Sequence, residues 1–353
     1  MESPTPPIKV LNSRPAHAEA LFAVAEKDPI PSSLWEPFYA GDRKACARLI
    51  TAVENQPGAV PYVRDRLASR LGKAVRIGIT GPPGVGKSTL TSVTALGLAG
   101  AGHKVGIIAV DPSSPFTGGA FMGDRIRMEG LVGNNQIFMR SMASREGHGG
   151  LSAATPFVAD VLEGFGMDRI LVETVGVGQA EIDVLACTDL VILVLQPSTG
   201  DAIQTMKAGI IEAADIIVVN KSDLPGMDTV LQSLRFLFSL GGPRRGKPIP
   251  QIVATSALQN EGIEKLVQEI ERCAGALMES GQHAEMKQAR MEKEIRSAIQ
   301  EQIWRAYDQA TNADEEISAK ARELIESGGS PYPYIREAGS RVRIDTTQPK
   351  DGK

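Results

Sequence analysis

The stretch Gly81-Pro82-Pro83-Gly84-Val85-Gly86-Lys87-Ser88 decides the fold of this chain, because it is a complete G-x-x-x-x-G-K-S phosphate-binding loop. The apolar run 75–80 before it predicts a β-strand, and the apolar spacing over 89–98 predicts a helix packed on a sheet. Glycines let the backbone approach an anion closely, and the N–H groups at the start of a helix point into the loop. A glycine-rich turn without a ligand would not need the lysine. Nucleotide binding by residues Gly81 to Thr89 is therefore the stronger interpretation.

The composition is that of a soluble globular protein with room for one large or two modest domains. Hydrophobic residues make up 42% of the 353 residues and charged residues 23%, and the formal net charge of −4 argues against nucleic-acid binding. Cys46, Cys187 and Cys273 are far apart in sequence, which favours a reducing compartment. No apolar run is long enough to span a bilayer, and the first residues resemble neither a signal nor a transit peptide. We expect a cytoplasmic protein that does not bind a membrane.

Short apolar runs alternate with helical stretches from residue 75 onward, as is typical of strands buried on both faces of a parallel sheet. The predicted strands span 75–80, 104–110, 136–139, 169–173, 189–195, 215–219 and 249–254. This alternation predicts a doubly wound α/β domain with a mostly parallel sheet. Its ligand is expected at the carboxyl ends of the strands.

Helical segments flank the predicted domain on both sides. Residues 34–72 have helical spacing interrupted at Pro57-Gly58, and a charged amphipathic stretch covers 279–327. The segment from Gly328 shows no helical period. The expected division is an N-terminal lead-in and helical segment (1–74), a P-loop domain (75–275), a C-terminal helical arm (276–327) and a polar tail (328–353).

The motif N-K-S-D at 220–223 follows a predicted strand directly and is typical of guanine recognition. The carboxylate of Asp223 would accept hydrogen bonds from N1–H and the exocyclic amine, while Asn220 and the stem of Lys221 hold the base plane. Adenine has an acceptor in place of N1–H and would leave that carboxylate without a donor. Ser256 and Ala257, just after another predicted strand, match a short loop that often backs the guanine. A helix-start turn with an aspartate cap is the alternative for the motif alone, but the context favours GTP and GDP as ligands.

Acidic residues fall where a nucleotide-bound Mg²⁺ would need oxygen ligands. Lys87 would contact the β- and γ-phosphates, and the hydroxyl of Ser88 would ligate the metal. Asp111 and Glu173 end predicted strands, and Asp124 lies in the polar, glycine-rich loop after the first of them, which is the natural first switch. An ordinary strand-to-helix loop explains any one of these acids, but explains poorly why all three occur at such positions.

Two further loops have the character of nucleotide-sensitive switches. Gly176, just beyond Glu173, is placed to contact the γ-phosphate, and Gln179 is a candidate for orienting the attacking water. In the loop 196–207, the residues alone leave two interpretations open for Asp201 and Lys207. Asp201 caps a helix and Lys207 lies on a solvated face, or both belong to a third switch.

Three segments make the likeness to one family specific. They are D-P-S-S-P-F-T-G-G at 111–119, E-T-V-G-V-G-Q at 173–179, and the stretch from Gly200-Asp201 to Lys207. They resemble the MeaB/ArgK/MMAA family of P-loop GTPases, in the metallochaperone branch, which are chaperones of adenosylcobalamin-dependent acyl-CoA mutases. The resemblance covers roughly residues 35–325.

The resemblance implies a Mg²⁺-dependent GTPase that converts GTP to GDP and phosphate slowly alone and faster with its partner. It would gate adenosylcobalamin loading at the cobalamin-binding domain of a mutase, and protect or reactivate that enzyme. It also implies a homodimer formed through the helical arm and an adenosyltransferase as a further partner. The residues that it implicates in turnover are Lys87, Glu173, Gly176, Gln179, Asp201 and Lys207.

Some positions depart from the family pattern, and other functions compete with the chaperone interpretation. The family's R-G-H-L-G-G is R-E-G-H-G-G at 145–150, so methylmalonyl-, isobutyryl- and 2-hydroxyisobutyryl-CoA mutases all stay open as partners. A metal-insertion GTPase would need a cluster of soft ligands, and the cysteines and histidines of this chain lack that spacing. A GTP-dependent scaffold with negligible turnover is the other alternative.

Overall fold

The protein is described here from a computed structural model. The structure describes residues 8–10, 29–112, 131, 133–144, 154–174, 187–199, 208–239 and 248–344. The chain forms two units, of which one is Asp28–Gln288 and the other combines Met1–Lys27 with Ala289–Lys353.

The strands and helices follow the alternation that the sequence predicts. The strands are β1 Ile8–Val10, β2 Val75–Thr80, β3 Val105–Pro112, β4 Ile137–Ser144, β5 Arg169–Glu173, β6 Leu190–Leu195, β7 Ile216–Val219, β8 Gln251–Ala254 and β9 Val342–Ile344. The α-helices are α1 Trp35–Tyr39, α2 Arg43–Asn55, α3 Val60–Leu67, α4 Lys87–Gly100, α5 Thr155–Gly164, α6 Ala208–Ala213, α7 Met227–Ser239, α8 Ile263–Glu279, α9 Gln282–Thr311, α10 Ala313–Ser327 and α11 Tyr332–Arg341. Short 3₁₀ turns cover Ser32–Leu34, Pro57–Ala59, Ala68–Arg70 and Pro197–Thr199.

A seven-stranded sheet in the order β4-β3-β5-β2-β6-β7-β8 forms the centre of the larger unit. Every neighbouring pair in it is parallel. The predicted doubly wound α/β fold is therefore confirmed. Strand β2 lies between β5 and β6, where the strand order reverses, and ligands of such sheets bind beyond the carboxyl ends of the strands at this point.

Both faces of the sheet are covered by helices. On one face, Leu98 of α4 and Ile270 of α8 are fully buried in one apolar cluster with the central strands. On the other, Leu49 of α2 and Leu162 of α5 belong to a second cluster, which also buries Trp35 of α1. The N-terminal helices thus complete the core of the nucleotide-binding unit. Among the described helices, none combines the length and the apolar character that a bilayer crossing demands.

The C-terminal region differs from the expectation in two places. The predicted helical stretch 279–327 is divided between α8, α9 and α10, and Asn312, with φ of +51°, separates the last two. The segment expected as a polar tail from Gly328 contains secondary structure, because α11 forms there and is followed by β9, which pairs in parallel with β1. Pro331 and Pro333 stand at the start of α11, where a helix does not need their missing N–H groups. The carbonyl of Pro331 accepts from the N–H of Ile335 at 3.0 Å.

A buried ion network anchors the amino end of β2. The guanidinium of Arg76 contacts Asp160 Oδ1 at 2.6 Å and Glu163 Oε2 at 3.3 Å, both on α5. Burial alone would lower the pKa of Arg76, but the adjacent Asp160 and Glu163 raise it above its usual value, so the side chain stays charged. Glu163 Oε1 also accepts from the backbone N–H groups of Gly72, Lys73 and Ala74, the residues just before the strand.

Replacing Glu163 by Ala should lower the free energy of unfolding by roughly 3–5 kcal/mol, because it leaves buried donors and part of a buried charge uncompensated. Urea unfolding followed by circular dichroism measures the change. Arg272→Ala is the control, since Arg272 is mostly exposed and pairs with Glu269 at 2.6 Å on the surface of α8. That variant should lose at most about 1 kcal/mol. Equal losses in the two variants would contradict the role assigned to the network.

The cysteines form no disulfide, and all three lie in described parts of the chain. Burial raises the pKa of Cys46 to about 12 and that of Cys273 to about 11, and the thiolate is the reactive form. We expect neither to be alkylated by iodoacetamide in the native protein at pH 8, although both should react fully in denaturant. Peptide mass spectrometry distinguishes the two conditions. Rapid native labelling of Cys46 would show that its surroundings open easily.

Candidate nucleotide-binding site

The phosphate loop lies between the carboxyl end of β2 and the first turn of α4, as predicted. Gly81 and Gly86 have φ of +145° and +93°, in the left-handed region that favours glycine. A Cβ atom at Gly81 would lie 2.2 Å from the carbonyl oxygen of Val194, and one at Gly86 would lie 2.5 Å from Asn220 Nδ2. The two glycines are thus required by conformation and by the close approach of neighbouring strand ends.

Lys87 and Ser88 begin α4 and turn toward the loop and β5. The Nζ of Lys87 donates to the carbonyls of Gly81 at 2.8 Å and Pro82 at 2.9 Å, so the ammonium lies within the curve of the loop. The hydroxyl of Ser88 donates to Glu173 Oε1 at 2.5 Å. Glu173 ends β5 and is buried.

The Ser88–Glu173 contact joins two of the four predicted metal ligands. A hydroxyl in the first turn of α4 and a carboxylate at the end of β5 supply oxygen atoms, the donors that Mg²⁺ prefers, and the pair therefore fits that ion. The backbone of Asp111 belongs to β3, but its side chain lies outside the described atoms, as does all of Asp124. Their part in a metal site stays a prediction.

Asn220 joins the phosphate loop to the two predicted guanine loops. This residue follows β7 and is buried, and its Nδ2 donates to the carbonyl of Val85 at 2.9 Å. Its Oδ1 accepts from Thr255 Oγ1 at 3.1 Å and from the N–H of Ala257 at 3.0 Å. The sequence predicted that Asn220 holds the base plane. The structure adds that the side-chain amide of Asn220 forms hydrogen bonds to other parts of the protein.

Lys221 and Asp223 present different groups at the same loop. Lys221 has φ of +57°, and its Nζ donates to the carbonyl of Gly84 at 2.7 Å, so its stem lies along the phosphate loop. The side chain of Asp223 is exposed, and the N–H of Ser222 donates to the carbonyl of Thr255 at 3.0 Å. The carboxylate expected to read guanine is thus accessible, on a loop fixed to the end of β8.

Several predicted residues lie outside the described parts of the chain. They are Gly176, Gln179, Asp201 and Lys207, together with Asp124. Thr174 is the last described residue before Gly176, and its N–H donates to the carbonyl of Ile79 on β2 at 3.1 Å. The described start of the predicted switch segment, Glu173 and Thr174, therefore lies beside β2, the strand that continues into the phosphate loop.

The predicted loop after β8 begins with Thr255, but the sequence assigned only Ser256 and Ala257 to the site. Both are buried at the end of β8. Thr255 is also fully buried, and its side chain contacts Asn220 directly. A hydroxyl residue directly after a predicted strand was the available signal, but its partner is 35 residues away in sequence and could not be inferred from spacing.

A family model described as "Methylmalonyl Co-A mutase-associated GTPase MeaB" matches residues 46–312, which include the phosphate loop, Glu173 and the guanine motif. The chain belongs to the MeaB family. This assignment and the P-loop architecture make the protein a GTPase, so the ligand of the site is a guanine nucleotide.

Relatives and a solved structure agree with the family assignment. A Pyrococcus horikoshii protein named as a GTPase is 43% identical over 268 residues, 75% of this chain and 84% of the relative. The mouse methylmalonic aciduria type A homolog is 33% identical over 318 residues, 84% of this chain and 76% of the relative. The crystal structure of an LAO/AO transport system kinase superposes with a TM-score of 0.67 at 26% identity, covering 88% of this MeaB-family chain and 98% of that one.

Asp223→Asn should move the base preference of this MeaB-family GTPase from guanine toward xanthine. An amide can donate to the C2 carbonyl of xanthine, whereas a carboxylate accepts from the C2 amine of guanine. We expect GTP affinity to fall by at least about 100-fold while XTP binding is gained. Calorimetric titration with both nucleotides measures the change. Asp228→Asn, at an exposed aspartate in the first turn of α7, is the control and should bind GTP normally.

Proposed function

We propose that this GTPase is a chaperone that gates adenosylcobalamin loading of a B12-dependent acyl-CoA mutase and protects or reactivates that enzyme. The contact between Ser88 and Glu173 carries the structural part of the proposal. Glu173 is the first residue of the segment E-T-V-G-V-G-Q, so a change at the phosphates and metal would act on the start of a switch segment. The description of the family and the name of the mouse relative support a mutase as the partner.

Mg²⁺ is the metal that this mechanism requires, and it would neutralise charge on the phosphates during transfer. Ser88 and Glu173 would hold it, with Asp111 and Asp124 as the further proposed ligands. Lys87 would exchange its bonds to the loop carbonyls for the β- and γ-phosphates. The positive charge is already inside the loop, so a small movement of the ammonium is sufficient.

The remaining proposed roles belong to the switch segments. Gly176 would contact the γ-phosphate through its backbone, and Gln179 would orient the attacking water. Asp201 and Lys207 would respond to the mutase and promote hydrolysis. Intrinsic turnover would then be slow, because these residues would promote hydrolysis only when the partner is bound.

A homodimer through the C-terminal helices is part of the proposal. Met291, Ile295 and Ile299 recur every four residues on α9 and are 41%, 51% and 51% exposed. An apolar stripe of this kind is typical of a helix that packs against a partner.

An adenosyltransferase is a second proposed partner, as the source of the cofactor. Three cysteines without a disulfide support a cytoplasmic location.

GTP turnover with and without a cobalamin mutase tests the proposal. We expect methylmalonyl-, isobutyryl- or 2-hydroxyisobutyryl-CoA mutase to raise turnover by at least about tenfold, since groups ordered or supplied by a partner have large effects in GTPases. The Asp223→Asn variant is the control. It should show the same stimulation with XTP and none with GTP, which ties the effect to this site.

Two outcomes would contradict the chaperone function. Turnover unchanged by all three mutases would favour a GTP-dependent scaffold. Stoichiometric binding of a transition metal, with no effect of any mutase, would favour a metal-insertion GTPase.

A further inference from the structure

The chain just beyond the guanine motif lies against the start of the third predicted switch segment, 196–207. Gly226 belongs to the short connection between Asp223 and α7. The helix α7 contacts the 3₁₀ turn Pro197–Thr199, which follows β6 and is the last described part of the chain before Asp201 and Lys207. The guanine motif and the start of this segment are therefore neighbours at the carboxyl edge of the sheet.

Glycine is required at position 226 by its backbone conformation and by its close approach to this turn. The φ angle of Gly226 is +106°, in the left-handed region that favours glycine. A Cβ atom there would lie 3.2 Å from the carbonyl oxygen of Pro197 and 3.5 Å from the Cβ atom of that buried proline. The first distance is tighter than most Cβ contacts, so one of the two segments would have to move by a few tenths of an ångström.

The connection that contains Gly226 is held at both of its ends. The N–H of Leu224 donates to the carbonyl of Lys221 at 3.0 Å, and the N–H of Val230 donates to the carbonyl of Gly226 at 3.3 Å. Val230 and Leu234 are fully buried in one apolar cluster with residues of β6 and β7, which fixes α7 on the sheet. Movement of Gly226 would therefore disturb both a backbone turn and a packed helix.

The turn at Pro197 is the side of the contact that we expect to move. Its residue Ser198 is exposed, and the Oγ of Ser198 accepts from Gln196 Nε2 at 2.8 Å within the same short loop. A methyl group added at position 226 would push on the carbonyl of Pro197 and shift this turn. The segment with Asp201 and Lys207 would then start from a different place, while the guanine motif stays where it is.

We propose that Gly226 is a positioning residue that fixes where the third switch segment begins relative to the loop that reads guanine. It acts through the backbone of Pro197. The response of that segment to a mutase rests on the proposed function above, whereas the position of its first turn does not. The placement of the turn is therefore tested without a partner, and its consequence for stimulation is tested with one.

Amide hydrogen exchange of the full-length, GDP-bound protein tests the placement of the turn. Gly226→Ala should raise the exchange rate in peptides from 196–207 by about threefold or more, because a displaced turn opens more easily. Exchange in peptides from the phosphate loop, 81–89, should stay at the wild-type rate. Mass spectrometry of peptic fragments measures both regions in one experiment.

Gly166→Ala is the matched control. Gly166 lies between α5 and β5 and has φ of +103°, close to that of Gly226. Within the described parts of the chain, no neighbouring atom lies within 4 Å of a Cβ atom built there. The control therefore has the same backbone strain without the contact. It should lose comparable thermal stability and leave exchange in 196–207 unchanged.

GTP turnover with a stimulating mutase tests the consequence for partner response. We expect the wild type and Gly166→Ala to be stimulated by at least about tenfold. Gly226→Ala should be stimulated by less than about threefold, since a small misplacement far from the reacting atoms can have a large effect on rate. Its affinity for GTP and its turnover without the mutase should match those of the wild type. A merely structural role would lower all three quantities together.

Gly226→Asn covers the case in which Gly226→Ala does not fold. Asparagine adopts positive φ more readily than alanine, so this variant keeps the contact with less backbone strain. The proposal is overturned if neither variant at 226 changes exchange in 196–207, or if Gly166→Ala raises it equally. Full stimulation of both variants by a mutase that stimulates the wild type also overturns it. A wild type that no mutase stimulates contradicts the proposed function, and the exchange rates then decide this inference.

Discussion

The side-chain amide of Asn220 holds together three loops that are far apart in sequence. It bonds to Val85 in the phosphate loop, and to Thr255 and Ala257 after β8, while its own backbone continues from β7. Moving a buried amide with these hydrogen bonds is unfavourable, because each buried donor or acceptor left without a partner raises the free energy of the folded state. The three loops therefore behave as one structural element at the carboxyl edge of the sheet.

Strand β2 supports these three loops from the centre of the sheet. All six of its residues are buried, and it contacts β5 and β6 on its two sides. At its amino end, Arg76 is held by the carboxylates of α5, and the preceding backbone is held by Glu163. At its other end it continues directly into the phosphate loop. Because β2 is fixed at both ends, neighbouring segments can change conformation while the phosphate loop stays in place.

Most of the fold, but only part of the site, was predictable from the sequence. Strand positions were predictable, because continuous apolar runs are enough to identify strands buried on both faces, as in β6. The motifs placed Ser88, Glu173 and Asn220 at strand ends, and parallel topology brings such ends together. The ion network was not predictable, because Arg76 and Asp160 are 84 residues apart and only packing of α5 brings them together. The helix α11 was missed because the segment from Gly328 shows no helical period, and the two prolines beside its start are well tolerated there.

The two lysines of the site have a consequence for the thermodynamics of binding. Lys87 bonds to Gly81 and Pro82, and Lys221 bonds to Gly84, so ammonium groups hold the carbonyls of the loop from two directions. The loop thus takes its shape from bonds within the protein. A ligand entering it has little backbone to order, and so loses little conformational entropy at the phosphate end. The entropic cost of binding then comes mainly from any other segments that the nucleotide orders. The affinity for the nucleotide therefore measures how far those segments have been ordered.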